Sequence, residues 1–169
     1  MHNEYLVVVD LNDQVIGLRP RHEIHTLGLL HRAVHILVFN QQGHLFLQKR
    51  SMLKDLNKGL WDSSAAGHVD NNESYDASAQ RELYEELGIK AALKPLFKLE
   101  ASVDLGMEFI QVYQCQHNGP FNLAADEIDE GTWLPLTEIN NRVMADDTTL
   151  TLTFKIIWKT YQPYLLAAN

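Results

Sequence analysis

The chain has 169 residues, 46% hydrophobic and 21% charged, which suits one folded domain and excludes intrinsic disorder. Its single cysteine, Cys115, excludes an intramolecular disulfide, and no apolar run approaches the roughly 20 residues that span a bilayer. A net charge of −8, from 14 basic and 22 acidic residues, disfavours a nucleic acid polymer as partner and leaves a small phosphorylated ligand escorted by a cation.

In chain order, residues 1–4 lack the basic start and long apolar stretch of a secretory leader, so a soluble cytoplasmic domain over residues 1–169 is expected. Residues 5–10 are rich in β-formers, Asn12-Asp13 is turn chemistry, and residues 14–18 read as a returning strand. Residues 19–30 predict a short helix followed by a loop. The almost wholly apolar residues 33–39 predict a central strand, with a turn at 40–43 and a partner strand at 44–50. Residues 51–62 are polar and irregular, and Trp61 within them offers either a stacking surface or core packing. Residues 74–87 are the clearest helix, free of Pro and Gly until Gly88 stops it. Strands are expected at 97–103 and 108–116 around the Asp104-Leu105-Gly106 turn, and another at 131–134. Helices are expected at 135–143 and 150–165. Nothing divides the chain, and it reads as one α/β domain with a mixed sheet.

Chemistry concentrates on the helix at 74–87. At about 100° per residue, Glu82, Glu85 and Glu86 share one face, and Ala79, Leu83 and Leu87 share the adjoining one. A solvated acidic face is one reading of this pattern. Against it, Glu82 and Glu86 repel at i,i+4, and Glu85 and Glu86 sit at the helix end that disfavours negative charge. A divalent cation would repair both conflicts, and an all-oxygen set suits Mg²⁺ or Mn²⁺. Gly67 gives a loop freedom to approach a metal, and Glu73 and Arg81 are placed to pair across that loop.

These residues resemble the Nudix box: Gly, five residues, Glu, seven residues, then Arg-Glu-aliphatic-any-Glu-Glu-any-Gly-aliphatic. Gly67, Glu73, Arg81, Glu82, Leu83, Glu85, Glu86, Gly88 and Ile89 satisfy every position of it across residues 67–89. The resemblance implies the Nudix fold, an α/β/α sandwich of α+β type with a mixed sheet. It also implies Mg²⁺-dependent hydrolysis of a diphosphate joined to another group, such as a nucleoside diphosphate derivative, with Mn²⁺ as a substitute ion. It carries metal binding and catalysis onto Glu82, Glu85 and Glu86, adds the Gly67 carbonyl as a ligand, and makes Glu73 and Arg81 a structural pair. Glu127, six residues before Trp133, matches a position that supplies a further metal ligand or the general base.

Beyond the box, residues 30–35, 48–51, 59–62 and 66–69 resemble the isopentenyl-diphosphate isomerase-like branch. That likeness implies a second metal set of His25, His31, His68 and Glu108. Two departures stand out. Ala66 occupies the place of the isomerase's cysteine acid/base, and the second metal glutamate of the isomerases falls near Gly106. The isomerase box is degenerate, whereas this one is complete, so the expectation is a hydrolase with an isomerase-like body. The alternatives are an isomerase or a non-catalytic nucleotide-binding module. A small-molecule diphosphate is the expected partner, no membrane is expected, and the oligomeric state stays open, a homodimer included. His31 and His35 have helical spacing but flank a strand-like run, so the spacing by itself assigns them nothing.

Overall fold

The computed structural model describes residues 4–167, with side chains through 162. Residues 1–3 and 168–169 of the domain expected over 1–169, including most of the start on which the expected lack of a leader rests, lie outside the described residues. The elements in chain order are β1 (Tyr5–Val9), β2 (Val15–Pro20), α1 (Arg21–Leu27), β3 (His31–Phe39) and β4 (Leu45–Arg50). There follow β5 (Trp61–Asp62), β6 (Ala65–His68), α2 (Tyr75–Leu87), β7 (Lys94–Leu99), β8 (Glu108–Gln116), β9 (Ile128–Leu134), α3 (Leu136–Met144) and α4 (Leu152–Ala167).

The sheet is mixed and is organised around β3. Its full length runs parallel to β8, from His31 opposite Glu108 to Phe39 opposite Gln116, as suits a strand buried on both faces. Side chains alternate across it. Val34, Ile36 and Val38 pack on Ala79, Leu83 and Leu87 of α2. Ala33, Leu37 and Phe39 face Phe154, Ile157 and Trp158 of α4 together with Ile139 and Val143 of α3. Helices therefore cover both faces of the sheet, giving the α/β/α sandwich.

The departure that matters for the site lies between β3 and β4. A continuous hairpin was expected there, but these strands pair only at Phe39–Leu45 and then diverge. The free edge of β3 is taken by β6, with Ala33–Ile36 opposite His68–Ala65. β4 instead pairs with β5 and β9. The split opens a cleft between the two halves of the sheet. Three further expectations are corrected. Gly67 and His68 sit on a strand rather than in a loop; the short, glycine-containing Ala65–His68 segment has little strand propensity and is held by its ladder to β3. His31 lies within β3 rather than beside it. The strand expected at 97–103 ends at Leu99, because Val103–Leu105 forms a 3₁₀ turn closed by Gly106 in the left-handed region.

Candidate active site

α2 starts where Ser74 accepts a hydrogen bond from the Ala77 amide at 3.0 Å, and it stops at Gly88, whose φ is 71°. Burial of Ala79, Leu83 and Leu87 fixes its rotation, which turns the glutamates towards the cleft. The cleft holds a cavity of about 430 Å³ lined by Glu82, Glu85 and Glu86 on one side and by Arg21, Arg50 and Lys54 among its other residues.

Glu86 is 4% exposed. Its Oε1 accepts hydrogen bonds from Gln48 Nε2 at 2.9 Å and from the Ala66 amide at 3.1 Å, and neither donor is a full charge. Glu82 packs beneath Gly67 so closely that a Cβ built on the glycine would lie 2.1 Å from the Glu82 Cδ. No side chain other than hydrogen fits there while Glu82 keeps its place. Burial pushes both carboxyls well above the usual carboxylate range; Glu82 adds to the rise at Glu86, while Arg81 partly offsets it at Glu82. A buried carboxylate pair with Arg81 on Glu82 and no full positive charge bonded to Glu86, next to the strand backbone at Gly67, is an oxygen-rich set that fits a hard divalent cation.

Arg81 is the hub of the surrounding loop. Its Nε lies 2.7 Å and its Nη2 2.9 Å from the two Glu73 oxygens, and Nη2 also donates to the His68 carbonyl at 3.0 Å. Its Nη1 donates to Glu82 at 2.7 Å and Glu85 at 3.1 Å. The hydrogen bonds from Arg81 hold Glu73 below its ordinary range despite partial burial. Glu127, at the entrance to β9, lines the same cavity and is paired with Lys54. Its charge adds to the upward push on Glu82 and Glu86.

A second cluster borders the same cavity, to whose lining His25, His68 and Glu108 contribute. Ligand-type atoms of His25, His31, His68 and Glu108 all fall within 4.8 Å of one another. Register explains this: His31 is opposite Glu108 and Ala33 is opposite His68, while α1 brings in His25. Glu108 Oε1 is 3.3 Å from His68 Nε2 and 3.4 Å from His31 Nε2. Burial opposes ionisation of Glu108, but the two imidazoles outweigh it and hold the carboxyl far below its ordinary range. Burial, then the charges of His68 and His31, bring His25 down to about 4. His31 Nδ1 lies 2.9 Å from the Leu29 carbonyl, which fixes the proton on that nitrogen. Among the described residues the buried Nε2 has no hydrogen-bond partner. An orphaned imidazole lone pair facing two further imidazoles and a carboxylate fits a transition-metal ion better than it fits Mg²⁺.

Of the residues expected to bear on function, Gly67, Arg81, Glu82, Glu85, Glu86, Glu127, His25, His68 and Glu108 line this cavity; Glu73 is tied to it through Arg81, and His31 lies beside Glu108. Sequence reading gives no site role to the cationic residues Arg21, Arg50 and Lys54, to the Glu86 partner Gln48, or to His35 with Asp62 and Ser63, although residues 48–51 and 59–62 carry part of the family resemblance. His31, Ala33 and His35 alternate on one strand, and a period of two would have placed His35 on the face of His31. Trp61 is not among the cavity residues; it packs against the α4-side core. Trp133 packs edge-on to Phe46 at 5.2 Å between ring centres. Cys115 is buried, which pushes its thiol up to about 11.

The NUDIX domain family model matches residues 29–153. An isopentenyl-diphosphate Delta-isomerase of Serratia proteamaculans is 34% identical over 162 residues, spanning 93% of this chain and 90% of the relative. An uncharacterized Nudix hydrolase of Pseudomonas aeruginosa is 36% identical over 132 residues, 78% of each protein. Among solved structures, the DR0079 protein of Deinococcus radiodurans superposes with a TM-score of 0.73 at 27% identity, covering 84% of this chain and 90% of that one. The NUDIX domain of Shewanella oneidensis NrtR, crystallised with ADP ribose, shares the fold with a TM-score of 0.64 at 17% identity, over 80% of this chain and 88% of that one.

Proposed function

The chain belongs to the Nudix family, a hydrolase family of phosphorus-containing anhydrides, and from that premise we propose that it is a Mg²⁺-dependent pyrophosphohydrolase acting as one domain over residues 1–169. Its substrate is a small molecule containing a diphosphate linkage, in the class of nucleoside diphosphate derivatives such as ADP-ribose. The observation that carries this reading is the complete acidic face, Glu82, Glu85 and Glu86 with Glu82 packed against Gly67, lining one cavity together with the cations Arg21, Arg50 and Lys54.

In this reading Glu82, Glu85, Glu86, the Gly67 carbonyl and Glu127 hold the divalent cation. When bound, that cation neutralises phosphoryl charge and lowers the pKa of a coordinated water. Arg50 and Lys54 bind the non-attacked phosphate and orient the anhydride. A carboxylate of the acidic face or Glu127 takes the proton of the attacking water. Water oxygen bonds to one phosphorus as the bridging P–O bond breaks, and the departing phosphate leaves with the bridging oxygen. Arg81 and Glu73 act structurally, pinning the 69–74 loop to α2.

The second cluster favours one competing reading. His25, His31, His68 and Glu108 would hold a further cation, as the likeness to the isomerases implies. Allylic isomerisation delivers a proton to one carbon and removes one from another, so it needs two positioned acid/base groups. Ala66 supplies none where the isomerases carry a cysteine. Incubation with Mg²⁺ and a panel of ADP-ribose, other nucleoside diphosphate derivatives and isopentenyl diphosphate, with products separated by chromatography, tests the choice. The expected result is anhydride cleavage of at least one compound and no dimethylallyl diphosphate. Conversion of isopentenyl to dimethylallyl diphosphate well above background, abolished in Glu108→Gln, would replace the hydrolase by the isomerase.

A further inference from the structure

His35 lies directly across the strand pair from Ala66, and both line the cavity. Ala66 ends at its methyl group, so the imidazole of His35 is the functional group at this point of the wall. His35 is 5% exposed and its Nδ1 is fully occupied: it lies 2.8 Å from Ser63 Oγ and 3.8 Å from Asp62 Oδ1. Asp62 is itself fixed, accepting from the Ser63 amide at 2.7 Å and sitting 3.6 Å from Arg50. A carboxylate this close to Nδ1 favours the tautomer with the proton there, which makes Nε2 a hydrogen-bond acceptor. Burial lowers the His35 pKa although Asp62 opposes it, so the ring is neutral at neutral pH. Among the described residues no protein group bonds Nε2. The cavity around it is polar: among the described residues that line it, Leu56 is the one large aliphatic side chain and the only aromatic rings are imidazoles.

We propose that His35 Nε2 accepts a hydrogen bond from a hydroxyl on the group attached to the diphosphate, so that the preferred substrate is the diphosphate of a sugar or polyol rather than of a hydrocarbon chain. The inference rests on the hydrolase reading above and narrows it. A hydrocarbon laid against His35 would strip water from Nε2 and offer no donor in return. Sites built to bond a substrate hydroxyl reject analogues lacking it far more strongly than apolar pockets discriminate by size.

The test compares two five-carbon diphosphates, ribose 5-diphosphate and isopentenyl diphosphate, with the full chain in Mg²⁺, reading phosphate release and KM. The expected kcat/KM ratio favours the ribose compound by at least about 100-fold. His35→Leu brings the ratio to within about 10-fold, chiefly by raising KM for the ribose compound. His35→Gln, which keeps an acceptor at similar reach, restores much of the preference. A wild-type ratio near one, a preference for isopentenyl diphosphate, or a ratio unmoved in folded His35→Leu overturns the inference while leaving hydrolysis standing. If neither compound is cleaved, titration calorimetry of both in Mg²⁺ reads the preference directly. Tighter binding of ribose 5-diphosphate supports the assignment, and equal or weaker binding refutes it. Failure to cleave any compound of the wider panel is a separate result that counts against the hydrolase reading.

Discussion

Replacing Gly67 by alanine separates the fold from the chemistry. The added methyl carbon would lie 2.1 Å from Glu82 Cδ and 2.2 Å from its Oε1, far inside van der Waals contact. Gly67 has no left-handed backbone geometry to lose, so the nearest conflict is with the Glu82 carboxylate. Glu82 resolves it by moving its carboxyl by at least about 1 Å, and an off-rotamer side chain costs about 0.5–1.5 kcal/mol. Stiffening the unfolded chain returns about 0.4–1 kcal/mol, so net stability changes by less than about 1 kcal/mol. The site fares worse: misplacing a reacting or ligating group by about 1 Å costs on the order of 100-fold in rate, and the displaced carboxylate also leaves its 2.7 Å contact with Arg81. Thermal unfolding, Mg²⁺ titration and anhydride hydrolysis measured on Gly67→Ala should show a near-normal melting temperature, weakened metal affinity and at least about 100-fold lower turnover. Wild-type turnover and metal affinity in a folded Gly67→Ala protein would refute the claim that Glu82 holds the cation in the observed position.

Arg81→Ala removes the paired contacts to Glu73 and the bond to the His68 carbonyl, and should cost about 1–3 kcal/mol in chemical denaturation; unchanged stability with abolished turnover would give Arg81 a chemical role instead. Glu86 carries a proton in the folded, metal-free chain over a pH range where the unfolded chain, with its glutamates near about 4.3, is ionised. The folded state then binds more protons, so this group's contribution to stability falls as pH rises towards and through neutrality. Metal-free Glu86→Gln should therefore be more stable than wild type at about pH 8 by an amount that shrinks towards about pH 5; a gap that widens on acidification contradicts the assignment of a raised carboxyl. Glu108→Gln should weaken Mn²⁺ binding at the imidazole cluster at least about 10-fold, seen by paramagnetic resonance, and unchanged binding would remove the second cation.

How far the sequence anticipates the molecule depends on the range of the interactions involved. α2 is legible because its signals are local: Ser74 caps it, Gly88 ends it, and a 3.6-residue period separates Leu83 and Leu87 from the glutamates. The spacing of Gly67, Glu73 and Arg81 is likewise visible, since loop and helix are contiguous. β6 is not legible, because Ala65-Ala66-Gly67-His68 becomes a strand only through the free edge of β3. The same long-range event opens the cleft, so the meeting of Arg21, Arg50 and Lys54 with the acidic face is invisible in a linear reading. The imidazole cluster is an intermediate case. Its members follow from family resemblance, but their mutual approach depends on the parallel register that sets Glu108 beside His31.

The central claim is that the glutamates of α2 hold a divalent cation that the reaction requires. The most direct measurement is the turnover of Glu86→Gln against wild type on the substrate found in the diphosphate panel, in Mg²⁺ and after chelation, with folding verified by circular dichroism. Glutamine keeps the shape of the side chain and an oxygen for the Gln48 and Ala66 donors while removing the charge. The account predicts that chelation abolishes wild-type hydrolysis and that folded Glu86→Gln loses several orders of magnitude in kcat; wild-type turnover by Glu86→Gln in Mg²⁺, or hydrolysis undiminished by chelation, would contradict it.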